Sequence, residues 1–406
     1  MAVPLSWLGR DGRVLIAVGA VRAVCQAFMA ITLAMYLANE GLSLTQIGVY
    51  FSAGAAGATA AAVLVGTSSE RLGRRRLLVL FSLLTAVGVI VLLCTANPAL
   101  LVTFAFVGSI TGTPGGAVGS TQPLVQAALA EASPPERRTT TFAIYRMSDN
   151  LGRAVGALAA GLPEVLARFN GQDEHGALRV LLAMTAATLA VVALTYLLLA
   201  PDVGRTQVRW INPLTLPSRG TILGLTSLFS VDTLGSALLV QSLVAYWFST
   251  RFDLALGELS VVFLISELLT ALSLWLSVRL STRIGLVNTM VFTHIPASVL
   301  LVGAAFAPTA AVAIACWQAR AFFSQMDVPA RDAYTMSVVQ PHERVAMASV
   351  HALGRSVAST LGPSVGAALW TSVAASAPFV GCAGLKIAYD LALWTVYRKR
   401  PTLPEA

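Results

Sequence analysis

The residues of this chain that could do chemistry are ionisable groups set inside long apolar runs. They are Arg22; Arg146, Asp149 and Arg153; Asp232; Glu267; His294; Arg320, Asp327, Arg331 and Asp332; His351 and Arg355; and Lys386 and Asp390. An ionised side chain in hydrocarbon costs at least about 2.5–3.5 kcal/mol, so such groups pair or face a water-filled cavity. Two chemistries follow. A carboxyl in a partly desolvated site can load and release a proton, and Asp149, Asp232 and Glu267 are the candidates. A guanidinium can hold a carboxylate or phosphate bidentately, and Arg22, Arg146, Arg153 and Arg355 are the candidates. Spacing offers a structural role as well. Asp327 and Arg331 are four apart, as are Lys386 and Asp390, and such pairs meet along a helix. Arg146, Asp149 and Arg153 share one face. Arg331 and Asp332 read equally as a gate contact or a static pair, and Arg22 with Asp232 as a buried salt bridge. The histidines at 175, 294, 342 and 351 are not clustered, and no metal spacing, nucleophile elbow or phosphate loop is present. A metal, a cofactor and an enzymatic or sensory role are therefore not expected.

These groups are carried by 406 residues of which 56% are hydrophobic and 11% charged, with a mean hydropathy of +0.75. A soluble globular chain has roughly a quarter of its residues charged. The composition argues against a soluble enzyme, a nucleic-acid-binding protein and a disordered chain. Twelve apolar runs are long enough to cross the hydrocarbon layer as helices: 14–37, 47–68, 77–95, 99–130, 139–162, 178–199, 221–248, 259–278, 286–306, 308–336, 345–373 and 378–396. The predicted fold class is an all-α polytopic membrane protein with twelve transmembrane helices. Barrel strands do not fit, because the runs are far longer than about ten residues and do not alternate. The fourth and tenth runs are too long for a straight crossing. Pro114 and Pro329 are expected to bend them, and Gly112, Gly115, Gly116, Gly119 and Pro123 suggest close packing in the fourth. The first run is too long for a cleaved signal peptide and serves as its own insertion signal. Cys25, Cys94, Cys316 and Cys382 all fall inside runs and read as packing residues.

Topology follows from the 27 Lys and Arg. With the N-terminus cytoplasmic, seventeen fall in inside segments, among them Arg71, Arg74, Arg75 and Arg76, while Arg168 and Arg251 fall outside. This bias puts both termini in the cytoplasm of a cell inner (plasma) membrane. The formal charge of +8 is spread over short loops, a topology signal rather than a nucleic-acid footprint.

The chain also reads as a duplication. Ile47-Gly48 opens the second run and Leu259-Ser260 the eighth. Glu70-Arg71-Leu72-Gly73 closes the second, and Thr282-Arg283-Ile284-Gly285 the eighth. Pro134-Pro135-Glu136-Arg137 resembles Pro341-His342-Glu343-Arg344, and Leu151-Gly152 through Gly156 resembles Leu361-Gly362 through Gly366. Residues 1–200 and 221–406 are predicted to form two six-helix bundles, joined by a cytoplasmic linker at 201–220.

The segment Gly66-Thr67-Ser68-Ser69-Glu70-Arg71-Leu72-Gly73-Arg74-Arg75 resembles the signature G-x-x-x-D-R-x-G-R-R of the major facilitator superfamily, with Glu70 in place of Asp. The resemblance spans the chain in length, span count and duplication. It implies a secondary transporter working by alternating access, with spans one, four, seven and ten lining a central cavity. It also implies a cytoplasmic gate at Gly66, Glu70, Arg71, Gly73, Arg74 and Arg75, where Glu70 would meet the start of span eleven. The substrate and proton-coupling candidates are Arg22, Asp149, Asp232, Glu267, Arg146, Arg153, Arg320 and Arg355. Proton-coupled export of a small organic compound by a monomer is the first expectation, since Gly362-Pro363 resembles an antiporter signature. That signature belongs to span five, where this chain has Gly152-Arg153. An anionic metabolite or oxyanion held by the arginines is the alternative.

Overall fold

A computed structural model describes residues 7–113, 121–171, 173–200, 215–340 and 343–398. Helices account for all the regular structure among them. In order they are α1 (Arg10–Asn39), α2 (Leu44–Leu72), α3 (Arg74–Cys94), α4 (Pro98–Gly108), α5 (Gln122–Glu131), α6 (Arg138–Ala159), α7 (Leu162–Asn170) and α8 (Glu174–Thr195). They continue with α9 (Arg219–Ala237), α10 (Gln241–Phe252), α11 (Leu256–Ile284), α12 (Leu286–Ala305), α13 (Ala310–Phe323), α14 (Asp327–Ser337), α15 (Arg344–Ser372) and α16 (Ala377–Tyr397). Each of the twelve predicted runs meets at least one helix. Among the described residues, eight candidate spans are long and apolar enough to cross a membrane by length and composition: α1, α2, α3, α8, α9 with α10, α11, α12 and α16. The other four runs are either broken into short pieces or, as in α6 and α15, interleave their apolar residues with charged and small polar ones.

The chain divides into two compact units, Met1–Val208 with Gln241–Val261, and Arg209–Val240 with Val262–Ala406. Most of the expected linker, residues 201–214, lies outside the described residues.

Local chemistry sets the helix ends, and it repeats along the chain. Gln46 Oε1 accepts the Ser43 N–H at 2.8 Å at the start of α2, and Glu258 Oε2 accepts the Ala255 N–H at 3.0 Å at the start of α11. Both are acceptors three residues into a helix reaching back to an orphan donor. Gly73 (φ 81) separates α2 from α3, and Gly285 (φ 85) separates α11 from α12. A side chain would strain the backbone at both positions. Arg138 Nε donates to Ala130 O, and Arg344 Nε donates to Met336 O, each at 3.1 Å and eight residues back. The structure thus equates Arg344 with Arg138, one residue beyond the sequence match to Arg137.

Close helix crossings repeat too. A Cβ on Gly152 or Gly156 would run into the Ala20 or Val24 carbonyl of α1, and one on Gly362 or Gly366 into Ala237 or Leu238 at the end of α9. Small residues let backbones approach this closely, which drives helix association in lipid.

Three long runs are broken. The fourth leaves the helix at Ser109 (φ 55); Pro114, Gly115, Gly116 and Gly119 lie outside the described residues. The tenth breaks at Ser324–Met326, just ahead of Pro329. Proline has no N–H, and its ring conflicts with the carbonyl four residues back, here Gln325. The seventh breaks at Leu238–Val240, which no proline or glycine in the break announces. There the carbonyl of Leu238 lies against Gly366 of α15.

Candidate functional site

The chemistry gathers in the second unit, where helices far apart in sequence bring buried charges together. Asp232 comes from α9, His294 from α12, Asp327 and Arg331 from α14, and Lys386 and Asp390 from α16. All six are buried; Asp232 is 4% exposed, Lys386 7% and Asp390 0%. Lys386 Nζ donates to Asp232 Oδ1 at 2.7 Å and to His294 Nε2 at 3.1 Å. His294 Nδ1 lies 3.1 Å from Asp390 Oδ1. Arg331 bridges Asp232 at 3.4 Å and Asp327 at 3.1 Å. The set is continuous from Asp327 through Arg331, Asp232, Lys386 and His294 to Asp390.

The donor inventory fixes the tautomer. A lysine ammonium has only donors, so Nε2 of His294 accepts and Nδ1 carries the proton donated to Asp390. The Nε2 atom also lies 3.7 Å from Asp232 Oδ1. A proton arriving at Nε2 would therefore displace Lys386 and compete with it for Asp232. Within the six, three carboxyls face two permanent cations, Lys386 and Arg331, and Arg355 adds a cation at the edge of the set. Asp390 Oδ2 is buried with no hydrogen-bond partner among the described residues. Aromatic rings close the cluster: Arg331 lies 5.8 Å over Phe229, and Tyr389 packs edge-on against His294 at 6.0 Å.

Two groups of α15 stand beside this set. Arg355 Nε donates to Thr233 Oγ1 at 3.0 Å. His351 packs edge-on against Phe229 at 4.8 Å, and both its nitrogens are buried without hydrogen-bond partners among the described residues.

Of the candidates read from sequence, Asp232 lies at the centre of the set and Arg355 at its edge. Asp232 is held by Lys386, Arg331 and His294. Arg320 is half-buried and stacks on Trp317 at 4.6 Å. Glu267 is half-buried on α11, next to Ser266, which bonds Gln318 at 3.0 Å. In the first unit, Arg153 pairs with Asp149 at 3.6 Å and also bonds Asn150, while Arg146 is exposed. Arg22, 6% exposed, lines a small cavity. Asp327 and Arg331 pair along their helix as their spacing predicts. Lys386 and Asp390 do not: each turns to His294, because a cross-helix imidazole satisfies both at once. His294 was read only as an ionisable group in an apolar run and not as a site candidate, since a single histidine there gives no sign of its partners.

Of the gate motif, the surroundings of Gly66 and the side chains of Glu70 and Arg71 lie outside the description, and so does the expected contact of Glu70 with span eleven. Arg74 pairs with Glu131 at 3.0 Å and Arg75 donates to Leu199 O at 3.1 Å. These arginines tie the start of α3 to the end of α5 and to the segment after α8.

Comparison with known proteins places this geometry. The family model described as Major Facilitator Superfamily matches residues 15–319. An uncharacterized membrane protein of Saccharomyces cerevisiae, YJR124C, is 22% identical over 365 residues, 82% of this chain and 81% of its own length. The solved nucleoside transporter NupG shares the fold at a TM-score of 0.76 and 14% identity, over 97% of this chain and 100% of its own. A mutant of the peptide transporter POT, solved in complex with sulfate, does so at 0.74 and 15%, over 96% and 94%.

Proposed function

The chain belongs to the Major Facilitator Superfamily, an all-α polytopic membrane protein, and from that premise we propose that it moves a small organic solute across the cell inner membrane by proton-coupled alternating access, in the direction of export. Both termini are cytoplasmic in this reading, and residues 1–200 and 221–406 act as the two moving halves about the linker 201–220. The observation that carries the coupling is the buried set around His294. It places an imidazole and a carboxyl, His294 and Asp390, in contact with each other and in one chain with Lys386 and Asp232, and in this reading the two are the seats of a moving proton. Protonation decides whether Asp232 is held by Lys386 or shared with a charged His294. A set with two such arrangements is the kind of bistable element that a proton can bias. Export rests on the resemblance of Gly362-Pro363 to an antiporter signature, here inside α15. The alternative of an arginine-lined anion path has less support, because Arg153 is neutralised by Asp149 and Arg355 is held by Thr233.

Proteoliposomes with an imposed pH gradient test this. The panel is ethidium, a nucleoside, a dipeptide and an organic anion, the middle two suggested by the names of the solved relatives. Substrate-dependent proton movement with one of them is the expected result. Gradient-independent movement of every solute that crosses would refute the coupling.

A further inference from the structure

The second unit sets a further cation inside an apolar helix, and the charged set does not use it. Arg320 lies in the last turn of α13 and is half-buried. Its guanidinium stands 4.6 Å over the Trp317 ring. Among the described residues it has no carboxylate partner and no hydrogen bond, and none of its nitrogens is sealed from the surface. By contrast, Arg331 is paired with Asp232 and Asp327, and Arg355 is bonded to Thr233. The last turn of a helix favours a cation, but here it leaves five N–H donors without a protein acceptor.

The surroundings prepare this guanidinium for a ligand. Trp317 is 7% exposed and pinned from α11. Its Nε1 donates to Ser266 Oγ at 3.1 Å, Ser266 bonds Gln318 at 3.0 Å, and Gln318 Nε2 donates to Val262 O at 2.8 Å. Phe263 packs edge-on against the same ring at 6.1 Å. A guanidinium stacked on an aromatic face keeps its donors in its own plane. The ring therefore sets the plane of the fork and consumes none of its N–H groups. Cys382 of α16, one turn ahead of Lys386, lies within electrostatic reach of both Arg320 and Lys386, so the fork stands beside the charged set.

The donor set decides the ligand. A permanent cation in a span without a counter-ion is costly, and such groups mark the path of a solute or ion. A guanidinium offers donors alone, in a rigid fork that matches the two oxygens of a carboxylate. A neutral amide would accept through one oxygen and leave the charge unbalanced, and a phosphate would bring more negative charge than a single guanidinium offsets.

We propose that the Arg320 fork, braced by the Trp317 ring, seats a carboxylate of the transported solute, so that the solute class is an organic carboxylate. This rests on the transport reading above and names the class that reading leaves open. One guanidinium suffices for one carboxylate, so no arginine-lined path is needed. The solute is seated one turn of α16 away from Lys386, next to the groups on which the coupling depends.

The test uses the purified full-length protein in detergent, without a gradient, so that binding is read apart from coupling. Thermal unfolding is followed at constant ionic strength with benzoate, hexanoate and indole-3-acetate, each against its neutral amide, and with acetate. A saturable rise in Tm of roughly 2–4 °C is expected with at least one of the three larger carboxylates and not with its amide, since a ligand specific to the folded state stabilises it by mass action. Arg320→Gln should abolish the rise. Without ligand it should unfold at the same or a higher temperature than the unaltered protein, because it removes a charge that has no partner. Arg320→Lys keeps the charge, loses the fork and should shift half-saturation about tenfold to higher concentration. Trp317→Leu should weaken binding by a similar factor, and Trp317→Phe, which keeps an aromatic face, should restore most of it. A rise that survives Arg320→Gln, an equal rise with acid and amide, a rise with acetate alone, or none with any carboxylate would overturn the assignment. A lowered Tm of ligand-free Arg320→Gln would do so too, since it would reveal a structural partner. The two readings fail separately in proteoliposomes. A carboxylate that binds through Arg320 yet crosses without moving protons keeps this assignment and refutes the coupling. A neutral solute that moves protons equally well through Arg320→Gln refutes this assignment and keeps the coupling.

Discussion

The two units solve the same packing problem and diverge in chemistry. Each crosses a pair of long helices through glycines, Gly152 and Gly156 of α6 against α1, and Gly362 and Gly366 of α15 against α9. Each turns between long helices at a positive-φ glycine, Gly73 or Gly285. The helix contacts then differ. Glycines 54 and 57 of α2 sit against the Ile110 and Phe106 carbonyls. In the second unit, α11 meets α13 through hydroxyl and amide groups: Trp317 Nε1 donates to Ser266 Oγ at 3.1 Å and Gln318 Nε2 to Val262 O at 2.8 Å. The polar interiors differ more. The first unit sets one guanidinium in a hydroxyl-lined cavity, and the second holds six ionisable groups bonded in series. The same kinds of glycine crossing and glycine turn recur in the two units, while the polar side chains set their interiors apart.

The largest effect should come from Asp232→Asn. It leaves Lys386 and Arg331 buried with a partner removed, and breaking a buried pair this way costs about 3–5 kcal/mol. Denaturant unfolding in detergent should show that loss, whereas Asp149→Asn in the first unit, with one 3.6 Å ion pair, should cost distinctly less. Equal losses would remove the contrast between the units.

Next come the glycine crossings. Gly156→Leu and Gly366→Leu both force a side chain into a backbone carbonyl, and overpacking of this kind costs about 1–3 kcal/mol. Similar decreases in Tm for the two would sharpen the equivalence of the crossings; a decrease in one alone would break it. The smallest effect is expected for Ser266→Ala. Interhelical hydrogen bonds in membranes average about 0.6 kcal/mol, and the Ser266 hydroxyl makes two, to Gln318 and from Trp317, so unfolding should shift by about 1 kcal/mol.

Much of the scaffold was legible in the sequence. Apolar runs located the helices because lipid demands about 20 apolar residues per crossing. The motif copies located Gly73 and Gly285 because only glycine relaxes there. Pro329 announced the break in the tenth run. The break at Leu238–Val240 was not legible, since it lies among apolar residues and meets the glycine face of a helix more than a hundred positions away. The site was read only in part. Asp232 stood out as a lone acid in an apolar run, and Asp327 with Arg331 as a four-residue pair. Lys386 and Asp390 have the same spacing and yet ignore each other. Spacing reports what one helix offers, and three-dimensional neighbours decide what it takes; His294, from a third helix, captures both.

The central claim is that the proton shared by His294 and Asp390 couples to solute movement. Its most direct test is uphill transport in proteoliposomes by the unaltered protein and by His294→Gln, using whichever panel solute moves protons. The account predicts that the unaltered protein accumulates solute against its gradient when a pH gradient is imposed. His294→Gln should remain folded and exchange solute down its gradient, but lose accumulation and lose the pH dependence of its rate. Undiminished uphill accumulation by His294→Gln would contradict the account.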